Sequence, residues 1–343
     1  MTTRLGFIYG FGAYLCWGTF PLFFMLLAEV DAFEIVPWRV ITALAFCVIA
    51  VSALRGWGRI RDIARSPRML GWFALSSVLL YANWQIFVFG VVTGHIIETA
   101  LGYFINPLVT ILIGVVFRKE RLTALQWGAV GIAAVGVFVS AVAYGQFPFI
   151  ALGLAFSFGL YGAVRKHASE DVDALTGLTI ETLVGTIVAL GQLALVFALF
   201  GHLAAFDHGP AVTLPLLLSG TVTAIPLLLF AAGTRRLPLS YMGFLQFTTP
   251  ILNFLTGYFL FHEPMSPARW IGFIAVWVAL VVLVVDILLR LRRGARPEEV
   301  GLATGEIAVP ALPEPEPAPA SHDDRSGDAS RSRPRSDASG IGD

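Results

Sequence analysis

From Leu5 to Leu27 the chain carries no charged side chain, and about 20 apolar residues rising 1.5 Å each span the hydrocarbon core of a bilayer. The pattern recurs. Apolar stretches bounded by charges or Gly/Pro clusters predict ten helices, at roughly 5–27, 33–54, 69–92, 97–117, 123–142, 147–165, 175–200, 211–233, 239–261 and 268–290. Composition agrees: 57% of residues are hydrophobic and only 13% charged, where a soluble domain carries about 25%. The chain is expected to be an all-α integral membrane protein. Its first stretch is too long for a signal-peptide core, and no small-x-small cleavage site precedes Glu29 and Asp31. That stretch is expected to remain as the first span.

The positive charges test the count independently. With loops assigned alternately to two sides, the side of Arg4 also receives Arg55 to Arg68, Arg118, Lys119, Arg121, Arg165, Lys166, Arg235, Arg236 and the flank from Arg290 to Arg296. Seventeen Lys and Arg fall there and Arg269 alone on the other. The positive-inside rule then puts both termini in the cytoplasm. Residues 294–343 are Pro/Glu-rich and then Ser/Asp/Arg-rich. They are expected to form a disordered cytoplasmic tail, because they offer too little apolar surface to offset ordering entropy.

An internal repeat explains the number ten. Gly102-YFINPLVTILIGVVFRKERLTALQW-Gly128 and Leu245-QFTTPILNFLTGYFLFHEPMSPARW-Ile271 align with Pro107 on Pro250, Gly114 on Gly257, Glu120 on Glu263 and Trp127 on Trp270. All four pairs share an offset of 143, as do Ser76 and Ser219, Phe87 and Phe230, and Gly90 and Gly233. The offset relates span n to span n+5. Five is odd, so matched spans cross the membrane in opposite directions, as in the 5+5 inverted repeats of secondary transporters. The expected halves are 1–143 and 144–293.

Polar groups inside spans are the candidate site. Arg39 is the one basic residue the sequence places well within a span; it would capture an anionic group, or bond helix carbonyls and water. Asn83, Trp84 and Gln85 in the third span, Tyr103 and Asn106 before Pro107, and Gln246 before Pro250 are candidate substrate-lining residues, with interhelical hydrogen bonding as their other reading. Proton coupling needs a titratable acid in a cavity, and Glu98 and Glu181 qualify by type. Asp286 is expected to pair with Arg290, and Glu120 and Glu263 to cap or pair at span exits. Ala151, Ala155, Gly159 and Ala163, and Gly6 with Gly10, are expected close-approach faces.

Other chemistry leaves no trace in the sequence. It has no GxxxxGK[ST], HExxH or GxSxG motif. No cofactor, metal, catalytic residue or nucleic-acid partner is expected. The expected partners are a small-molecule substrate and the lipid bilayer, with the chain a monomer or homodimer. Cys16 and Cys47 are expected apolar fillers.

The two halves, the Pro…Gly…Glu-Arg-Leu run at 107–122, Trp17-Gly18 and Arg39 resemble the EamA domain of the drug/metabolite transporter superfamily. Glu98-TALGYFINPLV, Ala151-LGLAFSFGLYGAVRK and Ile180-Glu181-Thr182 are similar to its RarD branch. The resemblance covers about residues 5–290. It implies a ten-helix permease of the bacterial inner membrane without a prosthetic group, and RarD proteins are described as chloramphenicol-sensitivity permeases. Met25 departs from it, since related proteins often carry a Lys near that position. The expected function is a secondary-active permease exporting a small metabolite or drug-like solute by alternating access, with proton coupling. A sensor or assembly protein on a transporter scaffold, and an uncoupled facilitator, are the alternatives.

Overall fold

The computed structural model describes residues 2–118, 122–144, 147–168, 172–234, 236–237 and 239–292. Glu120 and the expected tail lie outside the described residues, as does the side chain of Arg290. Helices follow in the order α1 (Thr2–Gly18), α2 (Phe20–Met25), α3 (Ala32–Ala53), α4 (Trp57–Ala64), α5 (Pro67–Val92), α6 (Ile96–Arg118) and α7 (Ala124–Tyr144). Then come α8 (Phe149–Ala168), α9 (Ala174–Phe200), α10 (Ala204–Asp207), α11 (Pro210–Thr234), α12 (Leu239–Leu245), α13 (Thr248–Leu255) and α14 (Pro267–Arg292). A π-helical turn, Thr256–Leu260, follows α13.

Seven of these segments are long and apolar enough to cross a membrane, and α7 and α8 carry shorter apolar stretches, Ala124–Val139 and Phe149–Arg165. The expected span at 239–261 differs: it is broken into α12, a turn at Gln246–Phe247, α13 and the π turn. Proline supplies the reason. Pro250 has no N–H for the carbonyl of Gln246, which instead accepts a tighter bond from the N–H of Thr249 at 3.2 Å. In α3, Pro37 likewise leaves the carbonyl of Phe33 without its helical donor, and the Gln192 side chain of α9 donates to it at 2.7 Å. Intramembrane proline is tolerated when a neighbouring helix supplies the missing partner.

The outside of the bundle is apolar, unlike that of a water-soluble protein, and a set of polar side chains lies within its largely apolar core. Ile49 and Ile187 are 69% and 74% exposed, while Arg39, Asn83, Asn106, Glu181 and Asn253 are buried. An apolar exterior with polar groups kept inside suits a bilayer, where lipid rather than water covers the outside.

Small residues set the crossings. A Cβ on Gly90 of α5 would meet Ile150 of α8 at 3.1 Å, and one on Gly233 of α11 would meet Gly10 of α1 at 2.9 Å. These two glycines are the sequence pair at offset 143. A Cβ on Gly6 would meet Arg236 at 2.7 Å, and one on Gly159 would meet Ile113 of α6 at 2.9 Å. Ala151 and Ala155 are fully buried on the same face, whereas Ala163 is exposed. The closest approach is α11 on α3, where a Cβ on Gly220 would collide with Ala43 and Thr42.

Helix ends are closed by side chains from distant segments. Glu34 accepts from the N–H groups of Ala204 and Ala205, both at 2.9 Å. Glu263 accepts from Ile96 at 2.6 Å and Ile97 at 2.9 Å, satisfying donors at the start of α6. Elsewhere Arg59 of α4 pairs with Asp173 at 3.0 Å, and Asp286 accepts from Thr123 at 3.0 Å. Each contact joins segments that the charge alternation expects on one side of the membrane.

Candidate functional site

Helices α1, α3, α5, α6, α8, α9 and α11 and the broken segment around Gln246 enclose a central cavity of about 200 Å³. Arg39 projects into it from α3. Its Nε donates to Thr223 of α11 at 2.8 Å, and its guanidinium lies 4.4 Å from the Trp84 ring centroid, 5.1 Å from Phe24 and 5.4 Å from Phe20. The cation lies over all three rings. Its Nη1 is buried and has no hydrogen-bond partner.

A second charged group lines the same cavity. Glu181 of α9 accepts from Ser76 of α5 at 2.7 Å and from Tyr161 of α8 at 3.3 Å, and pairs with Nε of Arg165 at 3.4 Å. Ser77 donates to the Glu181 main-chain carbonyl at 2.6 Å, fixing α9 against α5. Arg165 stacks over Phe73 at 4.7 Å. The chain can seat it there because residue 177, which faces the guanidinium, is glycine.

An aromatic track joins the two charged sites. Successive ring centroids run from Phe24 to Phe87 at 6.2 Å, to Tyr103 at 5.9 Å, to Phe158 at 6.4 Å and to Tyr161 at 6.0 Å. Asn83 lines the cavity and donates to Ser157 at 3.0 Å and to the Leu154 carbonyl at 3.2 Å. Asn106 and Gln246 also line it, and the Oδ1 of Asn106 is buried without a partner.

The structure therefore brings Arg39, Asn83, Trp84, Tyr103, Asn106, Gln246 and Glu181 to one cavity. Two expected residues sit elsewhere. Gln85 lies about 100° around α5 from Trp84 and accepts from Gln192 at 3.0 Å, in a network that includes Tyr81. Glu98 accepts from the N–H of Ile150 at 3.0 Å and of Ala151 at 3.4 Å, so it caps the start of α8 rather than facing the cavity. Asp286 accepts from Thr123; the side chain of Arg290, its expected partner, lies outside the described residues. Met25 packs on the apolar core beside Phe24.

Arg165 is the residue the sequence does not reveal. It stands beside Lys166 among loop cations, yet it is buried. Its only trace is indirect, a glycine one turn before Glu181 on the facing helix.

Two segments of the chain, residues 4–142 and 148–285, each match the EamA-like transporter family. Protein RarD of Streptomyces exfoliatus is 44% identical over 92% of this chain and 98% of its own. The uncharacterized transporter YojE of Bacillus subtilis is 42% identical over 82% of this chain and 93% of its own. A solved crystal structure covering 82% of this chain and 97% of its own superimposes with a TM-score of 0.52 at 18% identity, a likeness of fold alone. A multi-pass bundle with this repeat and these relatives belongs to the EamA-like transporter family, in its RarD branch.

Proposed function

We propose that the protein is a secondary-active permease that exports a small metabolite or drug-like solute across the bacterial inner membrane by alternating access. The observation that carries this is the enclosed cavity, walled by helices from both repeats and holding two buried arginines and one buried carboxylate. Buried charge is expensive in a membrane protein and persists where it serves a pathway.

The ten spans divide as 1–143 and 144–293, with α1–α2 and the α12–α13 segment each acting as one span and α4 and α10 as short connectors. Helix crossings support the division. α5 meets α8 at Gly90 as α11 meets α1 at Gly233, an exchange of span n for span n+5. Both termini are cytoplasmic, on the side of Arg59, Asp173 and Arg236.

Arg39 is the solute anchor, with Trp84, Asn83, Tyr103, Asn106 and Gln246 around it, and Glu181 exchanges the proton. Protonation of Glu181 would release Arg165 from its ion pair, so proton binding is coupled to the contact between α8 and α9. Glu98 has no part, because its carboxylate is engaged by backbone amides.

Proteoliposomes with an imposed pH gradient test the proposal. Wild-type protein accumulates a permeant solute against its gradient, and Glu181→Gln equilibrates the solute without accumulating it. Accumulation that ignores both the gradient and the substitution would leave a facilitator.

A further inference from the structure

The unoccupied bonding capacity of the cavity has a definite chemistry. Arg39 is 3% exposed, and its Nε is taken by Thr223 while Nη1 is buried and unpartnered. Among the described residues no carboxylate pairs with it, in contrast to Arg165, which faces Glu181 at 3.4 Å. Two guanidiniums and one carboxylate line the cavity, leaving one positive charge unbalanced. Trp84, Phe20 and Phe24 pack around the Arg39 guanidinium, whose N–H groups point outward in its own plane, so a planar carboxylate bonds its edge.

The walls select the remainder of the molecule. Phe87, Tyr103 and Phe158 line the same cavity as Arg39, with successive ring planes inclined at 55° and 86°, so they offer both faces and edges to an aromatic ligand. Asn106, 5% exposed, offers an unpartnered carbonyl oxygen, which demands a donor. A buried acceptor or donor left unpaired is costly, so a ligand that satisfies these groups is preferred over one that does not.

From this we infer that the solute is a small aromatic monoanion, a carboxylate on or near a ring that also carries an N–H or O–H donor. The carboxylate bonds the edge of Arg39, the ring packs against the faces and edges of these aromatic side chains, and the donor meets Asn106. This inference rests on the permease proposal for its biological meaning. Its test needs no bilayer.

Calorimetry on detergent-solubilised full-length protein compares 4-aminobenzoate with 4-aminobenzamide, which lacks the charge, and benzoate with cyclohexanecarboxylate, which lacks the aromatic ring. Charge-assisted bonds are about twice as strong as neutral ones, so the acid should bind at least about tenfold tighter than the amide. Loss of the aromatic contacts should weaken cyclohexanecarboxylate relative to benzoate by a similar factor. Arg39→Gln should erase the preference for acid over amide. Asn106→Leu, of similar shape, should weaken 4-aminobenzoate more than benzoate, which keeps the inference testable if Arg39→Gln fails to fold.

An amide bound as tightly as the acid overturns the inference, as does the absence of binding by either aromatic acid. A neutral or cationic solute that crosses proteoliposomes overturns it too, but leaves the permease intact. An aromatic acid that binds and never crosses does the reverse.

Discussion

Gly177 makes the burial of Arg165 possible, and Gly177→Ala should dislodge it. A Cβ at residue 177 would fall on the guanidinium, 2.7 Å from Nη1 and closer still to Cζ and Nη2. The guanidinium is the far end of a flexible side chain, so it moves before the helices do. It then leaves the Phe73 face and Glu181, whose carboxylate keeps the hydroxyls of Ser76 and Tyr161. Removing one partner of a buried ion pair costs about 3–5 kcal/mol. Arg165 lies near the end of α8 and can extend toward water, and Glu181 retains two donors, so the lower limit of about 3 kcal/mol applies. Reversible unfolding in mixed decyl maltoside and dodecyl sulfate micelles measures it. In an Arg165→Met/Glu181→Gln background the space is open, and the added methyl should be neutral or stabilising by up to about 1 kcal/mol, the usual helix preference for Ala over Gly. A loss below about 1 kcal/mol in the native background, or the same loss in both, would refute the argument.

Other perturbations reach separate parts of the fold. Gly220→Ala should destabilise by about 1–3 kcal/mol by forcing α11 from α3, and a smaller effect in the same unfolding assay would contradict the close approach. Asp173 is the N-cap of α9; burial raises its pKa, but the Thr176 N–H and hydroxyl and the Arg59 guanidinium outweigh burial and hold it below the usual carboxylate range. A depressed folded-state pKa gives stability that is present above the unfolded value and lost as pH falls through the folded one. Asp173→Ala should therefore lose about 0.5–2 kcal/mol at neutral pH, with the difference from wild type shrinking in acid titrations. Arg59→Ala should cost under about 1 kcal/mol, because that side chain is 51% exposed. Gln192→Leu leaves Gln85, Tyr81 and the Phe33 carbonyl without their shared partner, and a loss of about 1–3 kcal/mol is expected in thermal unfolding.

The sequence was informative wherever periodic apolarity or spacing carried the signal. Charge-free stretches located the helices, and the 143-residue offset marked Gly90 and Gly233, which fill equivalent crossings. Pro250 was visible, but not that it would break the ninth span. That outcome depends on whether a neighbouring helix replaces the missing donor, as Gln192 does for Phe33 beside Pro37. Adjacent residues on one helix point in different directions, so Asn83, Trp84 and Gln85 could not be separated by position alone. Glu98 and Glu181 look alike in sequence. Their roles differ because one meets the free amides of a helix start and the other meets Arg165 and Ser76. Arg165 was hidden for a related reason: burial of a cation at a helix end is decided by the facing helix, here by a single glycine.

Alternating access at the central cavity is tested most directly by the accessibility of residue 83. With Cys16 and Cys47 replaced by Ala, Asn83→Cys is labelled in oriented membrane vesicles by a membrane-impermeant maleimide added to one face or the other. The account predicts modification from both faces, with the ratio shifted by pH and unaltered in a Gln85→Cys control that faces α9. Labelling from one face alone under every condition would make the cavity a one-sided pocket and contradict transport through it.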